Sequence, residues 1–197
     1  MRIGVLGAGQ LAQAFARRAT AAGHEVILSN RAGPQSLSAT VSKLGPSVFA
    51  GSALAAAEMD TVVLAVQSDH IDQALIDLPD WGGRTLVDAT NDLLGVAPLP
   101  GVLTSSERVA DLARGARVVK ALNTISACRF AGDPRRAEGR RVVLVSGDDI
   151  PSKRAFQGLV EQMGFAAIDL GGLAEGGRLQ QVPGGILAGV DLMRFDR

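Results

Sequence analysis

The chain has 197 residues, of which 47% are hydrophobic and 20% are charged, so its length and composition suit one globular domain. Basic and acidic residues each total 20, and this neutral balance argues against a nucleic-acid partner or an anionic membrane surface. The single cysteine, Cys128, excludes an intrachain disulfide, and no zinc-ligand spacing occurs, so we expect no metal site.

The amino-terminal segment does not have the pattern of a signal peptide. Its apolar run is interrupted by Gly7, Gly9 and Gln10, and no cleavage-site pattern follows a basic start. The longest apolar runs, such as VVLAV at 62–66, are too short to cross a bilayer. We therefore expect a cytoplasmic protein without a membrane partner.

Short runs of β-branched residues alternate with helical patterns along most of the chain. Strands are predicted at 3–6, 25–28, 47–50, 61–65, 85–88, 117–121, 142–145 and 166–169. Helical periodicity covers 11–22 and 152–163, and TSSE at 104–107 has the spacing of a capping box. This alternation is typical of βαβ units, so we predict an α/β fold with a Rossmann-type, doubly wound, mainly parallel sheet.

The later part of the chain contains two segments of different character. Residues 127–141 include GDPRRAEGRR and are predicted to form a polar surface excursion. Residues 171–192 contain seven glycines and a proline, a poor composition for an isolated domain. We predict a single domain over 1–197, in which 171–197 form a glycine-rich arm or cap on the main body or on a second subunit. The apolar GGILAGVDLM suits a dimer contact, so a homodimer is expected.

The most informative motif is a G-x-G-x-x-A pattern between the first strand and the first helix. Gly7 can make the tight turn, Gly9 leaves the backbone open to a pyrophosphate, and Ala12 lets the helix lie close to the strand. The unpaired amides and the positive end of the helix dipole then favour phosphate. The turn therefore predicts a dinucleotide whose phosphates contact Gly7, Ala8, Gly9, Gln10 and Leu11.

The end of the second strand indicates which dinucleotide binds. An NAD site usually has an acidic residue there, which accepts hydrogen bonds from the ribose hydroxyls. This chain instead has Ser29, Asn30 and Arg31, and no acidic residue follows before residue 58. A guanidinium can bind a 2′-phosphate that a carboxylate would repel. We therefore predict NADP(H) rather than NAD(H), with these three residues near the extra phosphate.

Several further segments resemble the family of NADPH-dependent coenzyme F420 reductases and their bacterial relatives. The matching segments follow the order GVLGAGQLAQA, GHEVILSNRAGPQSL, VVLAV, LVDATND, VVKALNTI, VSGDD and GFAAIDLGGL. The resemblance implies an NADP(H)-dependent oxidoreductase in which hydride passes between the nicotinamide and a flat acceptor ring, either coenzyme F420 or a flavin.

Polar and small residues at other strand ends are candidates for the nicotinamide side. They follow the fourth, fifth and sixth predicted strands, whose carboxyl ends share one edge of a parallel sheet. These candidates are Ala65, Val66, Thr90, Asn91 and Asn123. An alternative stays open for the polar ones, which could instead cap turns and helices. The sequence also leaves open whether His70 or Lys120 has a chemical role.

We predict no catalytic acid, base or nucleophile, since no such constellation can be argued from the spacing. Hydride transfer depends on placement more than on proton transfer, so this is consistent with the first hypothesis. Two other hypotheses remain. The chain could reduce a small carbonyl or imine, with a dimer supplying the missing wall of the pocket. It could also be a non-catalytic NADP(H)-binding redox sensor.

Overall fold

The computed structural model describes residues 1–92 and 101–195. Two stretches therefore lie outside the described residues, namely 93–100 of the predicted domain and 196–197 of the predicted arm. The strands are β1 (Arg2–Leu6), β2 (Glu25–Ser29), β3 (Val48–Ala50), β4 (Thr61–Leu64), β5 (Thr85–Asp88), β6 (Arg117–Ala121), β7 (Arg135–Arg136), β8 (Gly139–Gly147), β9 (Ala166–Asp169) and β10 (Met193–Phe195). The helices are α1 (Gln10–Ala21), α2 (Ser38–Leu44), α3 (Ala53–Ala57), α4 (Ile71–Leu75), α5 (Ser105–Leu112), α6 (Ala127–Ala131), α7 (Ile150–Gln162) and α8 (Glu175–Gln180).

The first six strands form a parallel sheet in the order β3-β2-β1-β4-β5-β6. The chain winds outward from β1 in one direction and then from β4 in the other. The boundary between β1 and β4 is therefore the switch point of the sheet, where open α/β folds bind ligands beyond the carboxyl ends of the strands. The prediction of a Rossmann-type, mainly parallel sheet is confirmed.

The sheet continues past β6 with strands of mixed direction. β8 is antiparallel to β6, with Ala121 opposite Val145, and β9 lies parallel to β8. Short β7 and β10 both pair with the beginning of β8 in antiparallel fashion. The prediction at 142–145 therefore captured only the middle of a nine-residue strand.

The prediction of a polar excursion over 127–141 was wrong in part. Residues 127–131 form α6, whose Phe130 is buried and stacks on Phe165 with ring centroids 4.6 Å apart. Arg18 on α1 donates hydrogen bonds to the backbone oxygens at the end of this helix. One buried aromatic residue thus fixes a segment whose average composition is polar.

Helices cover both faces of the sheet. On one face, α1, α2, α6 and α7 enclose a core that includes Phe15, Phe130 and Phe156. On the other face, α3, α4 and α5 pack on β-strand residues together with Trp81. The capping box predicted at the start of α5 is confirmed, because Thr104 Oγ1 accepts from the Glu107 amide and Glu107 Oε2 accepts from the Thr104 amide.

Residues 171–195 lie against β8 and β9, the strands from the later part of the chain. α8 packs over β8, and β10 extends the sheet through the pairing of Met193 with Arg141. Leu187 and Leu192 contact a small apolar cluster on β8 and β9. Contact of this segment with a second subunit stays a prediction. Within the described residues, no helix is both long enough and apolar enough to cross a membrane.

Candidate dinucleotide site

A cleft of about 580 Å³ opens at the switch point of the sheet. Its walls come from the turn after β1, the loop after β2, the end of β4 and the segment that contains α4. Predicted site residues that line it are Gly7, Ala8, Gly9, Ser29, Asn30, Arg31, Ala65 and Val66. Gln10 and Leu11 begin α1 just beyond the turn and are not part of the lining.

The two glycines of the turn have different physical roles. Gly7 has a φ of 119°, its amide donates to the Ser29 carbonyl, and a Cβ at this position would overlap the Ala65 carbonyl oxygen. Gly9 is the N-cap of α1 and has no side-chain cap, and a Cβ there would meet no atom of the described residues within 4 Å. Gly7 therefore shapes the turn, while Gly9 leaves the uncapped end of the helix open to an anion.

The loop after β2 is held by its own side chains. Ser29 is buried and its hydroxyl donates to the Val5 carbonyl at 2.9 Å, so this donor is already used. Asn30 Nδ2 donates to Ser36 Oγ at 2.9 Å, and Ser36 Oγ lies 2.7 Å from the Gly33 carbonyl oxygen. Ser36 was not predicted. Its position three residues after a glycine, in GPQS, is a turn signal that could have suggested this contact.

Arg31 projects from that loop into the mouth of the cleft. Its side chain is exposed, and its Nη1 lies 3.4 Å from Gln73 Oε1 on the opposite wall. Within the described ranges, no carboxylate forms an ion pair with this guanidinium. Arg31 is therefore a positive charge available at the place where many dinucleotide sites have an acid.

Residues of the α4 segment also line the cleft, and the sequence singled out few of them. Gln67, Gln73 and Asp77 are examples, together with His70, whose role the sequence left open. His70 is exposed, and its Nδ1 lies 3.3 Å from Asp69 Oδ1. Polar residues on a short helix look like ordinary surface residues in a sequence, so only the fold reveals that they face this cleft.

Thr90, Asn91 and Asn123 lie outside the lining of this cleft. They form a second cluster at the carboxyl ends of β5 and β6. Asn123 Nδ2 donates to Asn91 Oδ1 at 3.1 Å, and Asn91 Nδ2 donates back to the Asn123 carbonyl at 3.0 Å. Asn123 Oδ1 is buried and accepts no hydrogen bond from the described residues. The structure thus brings the two asparagines together, as the sequence predicts, but apart from the phosphate turn.

A buried ionic network supports this second cluster from below. Asp88 accepts hydrogen bonds from Thr90, from Ser106 Oγ at 2.6 Å and from Lys120 Nζ at 3.0 Å. Burial acts to raise the pKa of Asp88, but the Lys120 ammonium and these hydrogen bonds outweigh it and hold the pKa below its usual value. The Lys120 ammonium also donates to the Thr90 carbonyl at 2.6 Å, and this ion pair therefore orders the turn that carries Asn91.

Comparisons with known proteins identify similar NADP-dependent oxidoreductases. A family described as NADP oxidoreductase, coenzyme F420-dependent, matches residues 2–92. The solved structure of a hypothetical protein from Sinorhizobium meliloti is 38% identical, with a TM-score of 0.89, over 98% of this chain and 96% of that chain. An Arthrobacter sp. FB24 protein, described as an F420-dependent NADP-reductase, is 28% identical, with a TM-score of 0.70, over 91% of this chain and 89% of that chain.

Curated relatives include metalloreductase STEAP3 of Rattus norvegicus, which is 30% identical over 92% of this chain and 36% of that protein. Metalloreductase STEAP2 of Homo sapiens is 25% identical over 92% of this chain and 35% of that protein. The chain thus spans about a third of the length of the curated relatives it matches. Residues 2–92 match the model of the coenzyme F420-dependent NADP oxidoreductase family, and nearly the whole chain is similar to the Sinorhizobium meliloti and Arthrobacter proteins.

Proposed function

We propose that the chain binds NADP(H) across the carboxyl edge of the sheet and transfers hydride between the nicotinamide and a flat acceptor of the deazaflavin or flavin type, such as coenzyme F420. The observation that carries this proposal is Arg31, an exposed guanidinium in the mouth of the cleft. No acidic residue occupies the loop that carries it. Such a site favours the phosphorylated dinucleotide over the unphosphorylated one.

The turn after β1 would hold the pyrophosphate. Gly9 offers open space above the first turn of α1, and no side chain in the described part of the chain caps that helix. The backbone amides of Gln10 and Leu11 belong to this first turn, so they would act through the backbone rather than through their side chains. A phosphate there is stabilised by the amides and by the helix dipole.

The loop after β2 would hold the 2′-phosphate chiefly through Arg31. The Ser29 hydroxyl is committed to the Val5 carbonyl, and Asn30 is fixed by Ser36, so these two residues would shape the loop around the phosphate. The contact of Arg31 with Gln73 is long, at 3.4 Å, which leaves the guanidinium able to turn toward a stronger acceptor. Ionised acceptors form hydrogen bonds roughly twice as strong as neutral ones.

The nicotinamide half would extend from Ala65 and Val66 at the end of β4 toward Asn91 and Asn123. Bound NADPH supplies hydride donation, which requires close placement of the acceptor rather than a protein acid or base. Asn123 Oδ1 accepts no hydrogen bond from the described residues. The NH₂ group of the nicotinamide carboxamide is a donor that it could accept from. In this proposal the two asparagines therefore position the ring and take no part in proton transfer.

The family description and the Arthrobacter relative support coenzyme F420 as the acceptor. The test of this proposal measures NADPH oxidation by the purified chain when coenzyme F420, FMN, FAD, a small ketone or an imine is supplied as the acceptor. Oxidation by F420 or a flavin, lost in Arg31→Glu at limiting NADPH, is the expected result. Oxidation only by a ketone or imine would instead indicate a small-molecule reductase. Tight NADPH binding without oxidation by any acceptor would indicate a redox sensor.

We also propose that the chain is a homodimer that uses its carboxyl-terminal segment. Large apolar side chains there are exposed, including Ile186 at 78% and Phe195 at 65%, and Val102 and Leu103 are exposed as well. Such side chains favour burial against another protein surface. Sedimentation equilibrium should give twice the chain mass, and Ile186→Glu should shift the population to the monomer. A monomer at all concentrations in the native chain would contradict the proposal.

A further inference from the structure

The glycine-rich carboxyl-terminal segment contacts the second cluster, formed by Thr90, Asn91 and Asn123, through Gln180. This residue ends α8 and is completely buried. Its side-chain Nε2 donates to the Lys120 carbonyl at 3.2 Å and lies 2.9 Å from Ser146 Oγ, so it bridges β6 and β8. Its backbone carbonyl accepts a hydrogen bond of 2.7 Å from Asn123 Nδ2. Gln180 thus ties the carboxyl-terminal segment to a predicted site residue.

Glycine makes this close approach possible. A Cβ at Gly176 would lie 2.5 Å from Ser146 Oγ and equally close to the Leu170 carbonyl oxygen, so a larger residue would push α8 away from β8. The next residue along, Gln181, anchors the same segment elsewhere, because its Oε1 accepts from the Ser105 amide at 3.0 Å. The two adjacent glutamines therefore have separate partners, one near Asn123 and one on α5.

The backbone that leads into Asn123 is held in an unusual conformation. Leu122 is buried and has a φ of 66°, the left-handed region that non-glycine residues rarely occupy. Such a conformation is strained and persists only where the surroundings enforce it. The contacts of Gln180 with Asn123 and with the Lys120 carbonyl are part of those surroundings.

We propose that Gln180 is a positioning residue of the nicotinamide side of the site, an inference that rests on the proposed function. Both hydrogens of the Asn123 carboxamide are used, one by Asn91 Oδ1 and one by the Gln180 carbonyl. The carboxamide therefore cannot rotate, and its Oδ1 is fixed as an acceptor for a donor on the ligand. The side chain of Gln180 holds its own carbonyl in place through β6 and β8.

The test compares Gln180→Met with the matched control Gln181→Met. Both residues are buried, and both substitutions replace glutamine with a side chain of similar size that lacks the amide. The first readout needs no turnover: the side-chain NH₂ resonances of Asn123 in ¹⁵N-labelled protein, identified with Asn123→Asp. We expect these hydrogens to exchange slowly in the native chain and in Gln181→Met, and to lose protection in Gln180→Met. Equal protection in both variants would overturn the proposal.

The second readout separates placement from binding. In Gln180→Met we expect the Kd for NADPH to stay close to the native value, because the phosphate contacts are elsewhere, while kcat falls on the order of tenfold to a hundredfold. Gln181→Met should keep the native kcat. An equal fall of kcat in both variants would assign Gln180 a merely structural role and overturn the proposal. Ser146→Ala, which removes one partner of Nε2, should show the same split more weakly if Gln180→Met does not fold.

Failure of the proposed function gives a different pattern. If NADPH does not bind the native chain, or leaves the Asn123 NH₂ resonances unmoved, the assignment of the nicotinamide side is wrong whatever the Gln180 variants do. If NADPH shifts those resonances in the native chain but Gln180→Met preserves both their protection and kcat, only the role of Gln180 is wrong.

Discussion

Lys120 Nζ lies 3.0 Å from Asp88 Oδ2, and neither side chain is more than 1% exposed. The two residues are also paired across the neighbouring parallel strands β5 and β6. Each charge is costly to bury alone, and each is satisfied by the other. Asp88 also accepts hydrogen bonds from Thr90, and Lys120 also donates to the Thr90 carbonyl. The pair therefore links the stability of the central sheet to the order of the turn that carries Thr90 and Asn91.

Removal of one partner of this pair should destabilise the fold strongly. Lys120→Met leaves the Asp88 carboxylate buried without its counter-charge, which costs about 3–5 kcal/mol. We expect that decrease in the free energy of unfolding by urea at neutral pH. Lys43→Met is the matched control, since Lys43 is exposed in the last turn of α2, and it should change stability by less than about 0.5 kcal/mol. Similar small losses in both variants would contradict a stabilising role for the ion pair.

The same pair should make stability depend on pH in the acid range. The pKa of Asp88 is lowered in the folded chain, despite burial, by Lys120 and by hydrogen bonds from Ser106 and Thr90. Its contribution is therefore complete above the unfolded value of about 3.9 and is lost as the pH falls through the lower folded value.

Ser106→Ala removes one of the hydrogen bonds that lower this pKa. The folded pKa should move toward the unfolded one, so the variant is less stable at neutral pH and loses less stability on acidification. The difference between native chain and variant should narrow below about pH 4 in urea unfolding. Ser105→Ala, one residue earlier in α5, should follow the native pH profile. A Ser106→Ala difference that is constant with pH would contradict the linkage.

Alanine at Gly9 should impair dinucleotide binding without harming the fold. A Cβ at Gly9 would meet no atom of residues 1–92 or 101–195 within 4 Å, and it would project into the space assigned to the pyrophosphate. We expect an NADPH Kd raised by at least about tenfold, a loss of 1.4 kcal/mol of binding free energy, and stability within about 1 kcal/mol of the native chain. Calorimetry and thermal unfolding measure the two quantities.

Gly7→Ala provides the contrast. Gly7 has a φ of 119°, and its Cβ would overlap the Ala65 carbonyl oxygen, so the fold itself should lose stability by at least about 1–3 kcal/mol. The reverse result, with Gly9→Ala unstable and Gly7→Ala stable, would show that the roles of the two glycines are misassigned.

Much of the fold follows from local sequence patterns. The strands from β1 to β6 are short apolar runs bounded by turn residues, and each prediction overlaps the observed strand. The start of α5 is set by TSSE, whose side chains cap the helix without help from the rest of the fold. β7 and β10 were not predicted because their sequences, RR and MRF, contain no run of consecutive apolar residues, and they are strands through their pairing with β8.

The candidate site likewise contains residues whose placement could be predicted from the sequence and residues whose placement could not. The placement of Gly7, Gly9 and Arg31 beside one cleft could be predicted because all three lie just after strands of the same βαβ unit. Gln73 and Gln180 could not, because a glutamine on a helix has no local signature and its partners are brought by the tertiary fold. The sequence also predicted that Asn91 and Asn123 lie at one sheet edge. It did not predict that they lie outside the lining of the phosphate-side cleft, because that depends on the packing of the turns.

The central claim is that Arg31 makes the cleft selective for the phosphorylated dinucleotide. Calorimetric titration of the native chain and of Arg31→Glu with NADPH and with NADH tests it most directly, with Arg135→Glu on β7 as a control for the same change in charge. We predict tighter binding of NADPH than NADH by the native chain and by Arg135→Glu, and a loss of that preference in Arg31→Glu, whose NADPH affinity falls on the order of a hundredfold. Equal affinities of the native chain for the two dinucleotides, or an unchanged preference in Arg31→Glu, would contradict the claim.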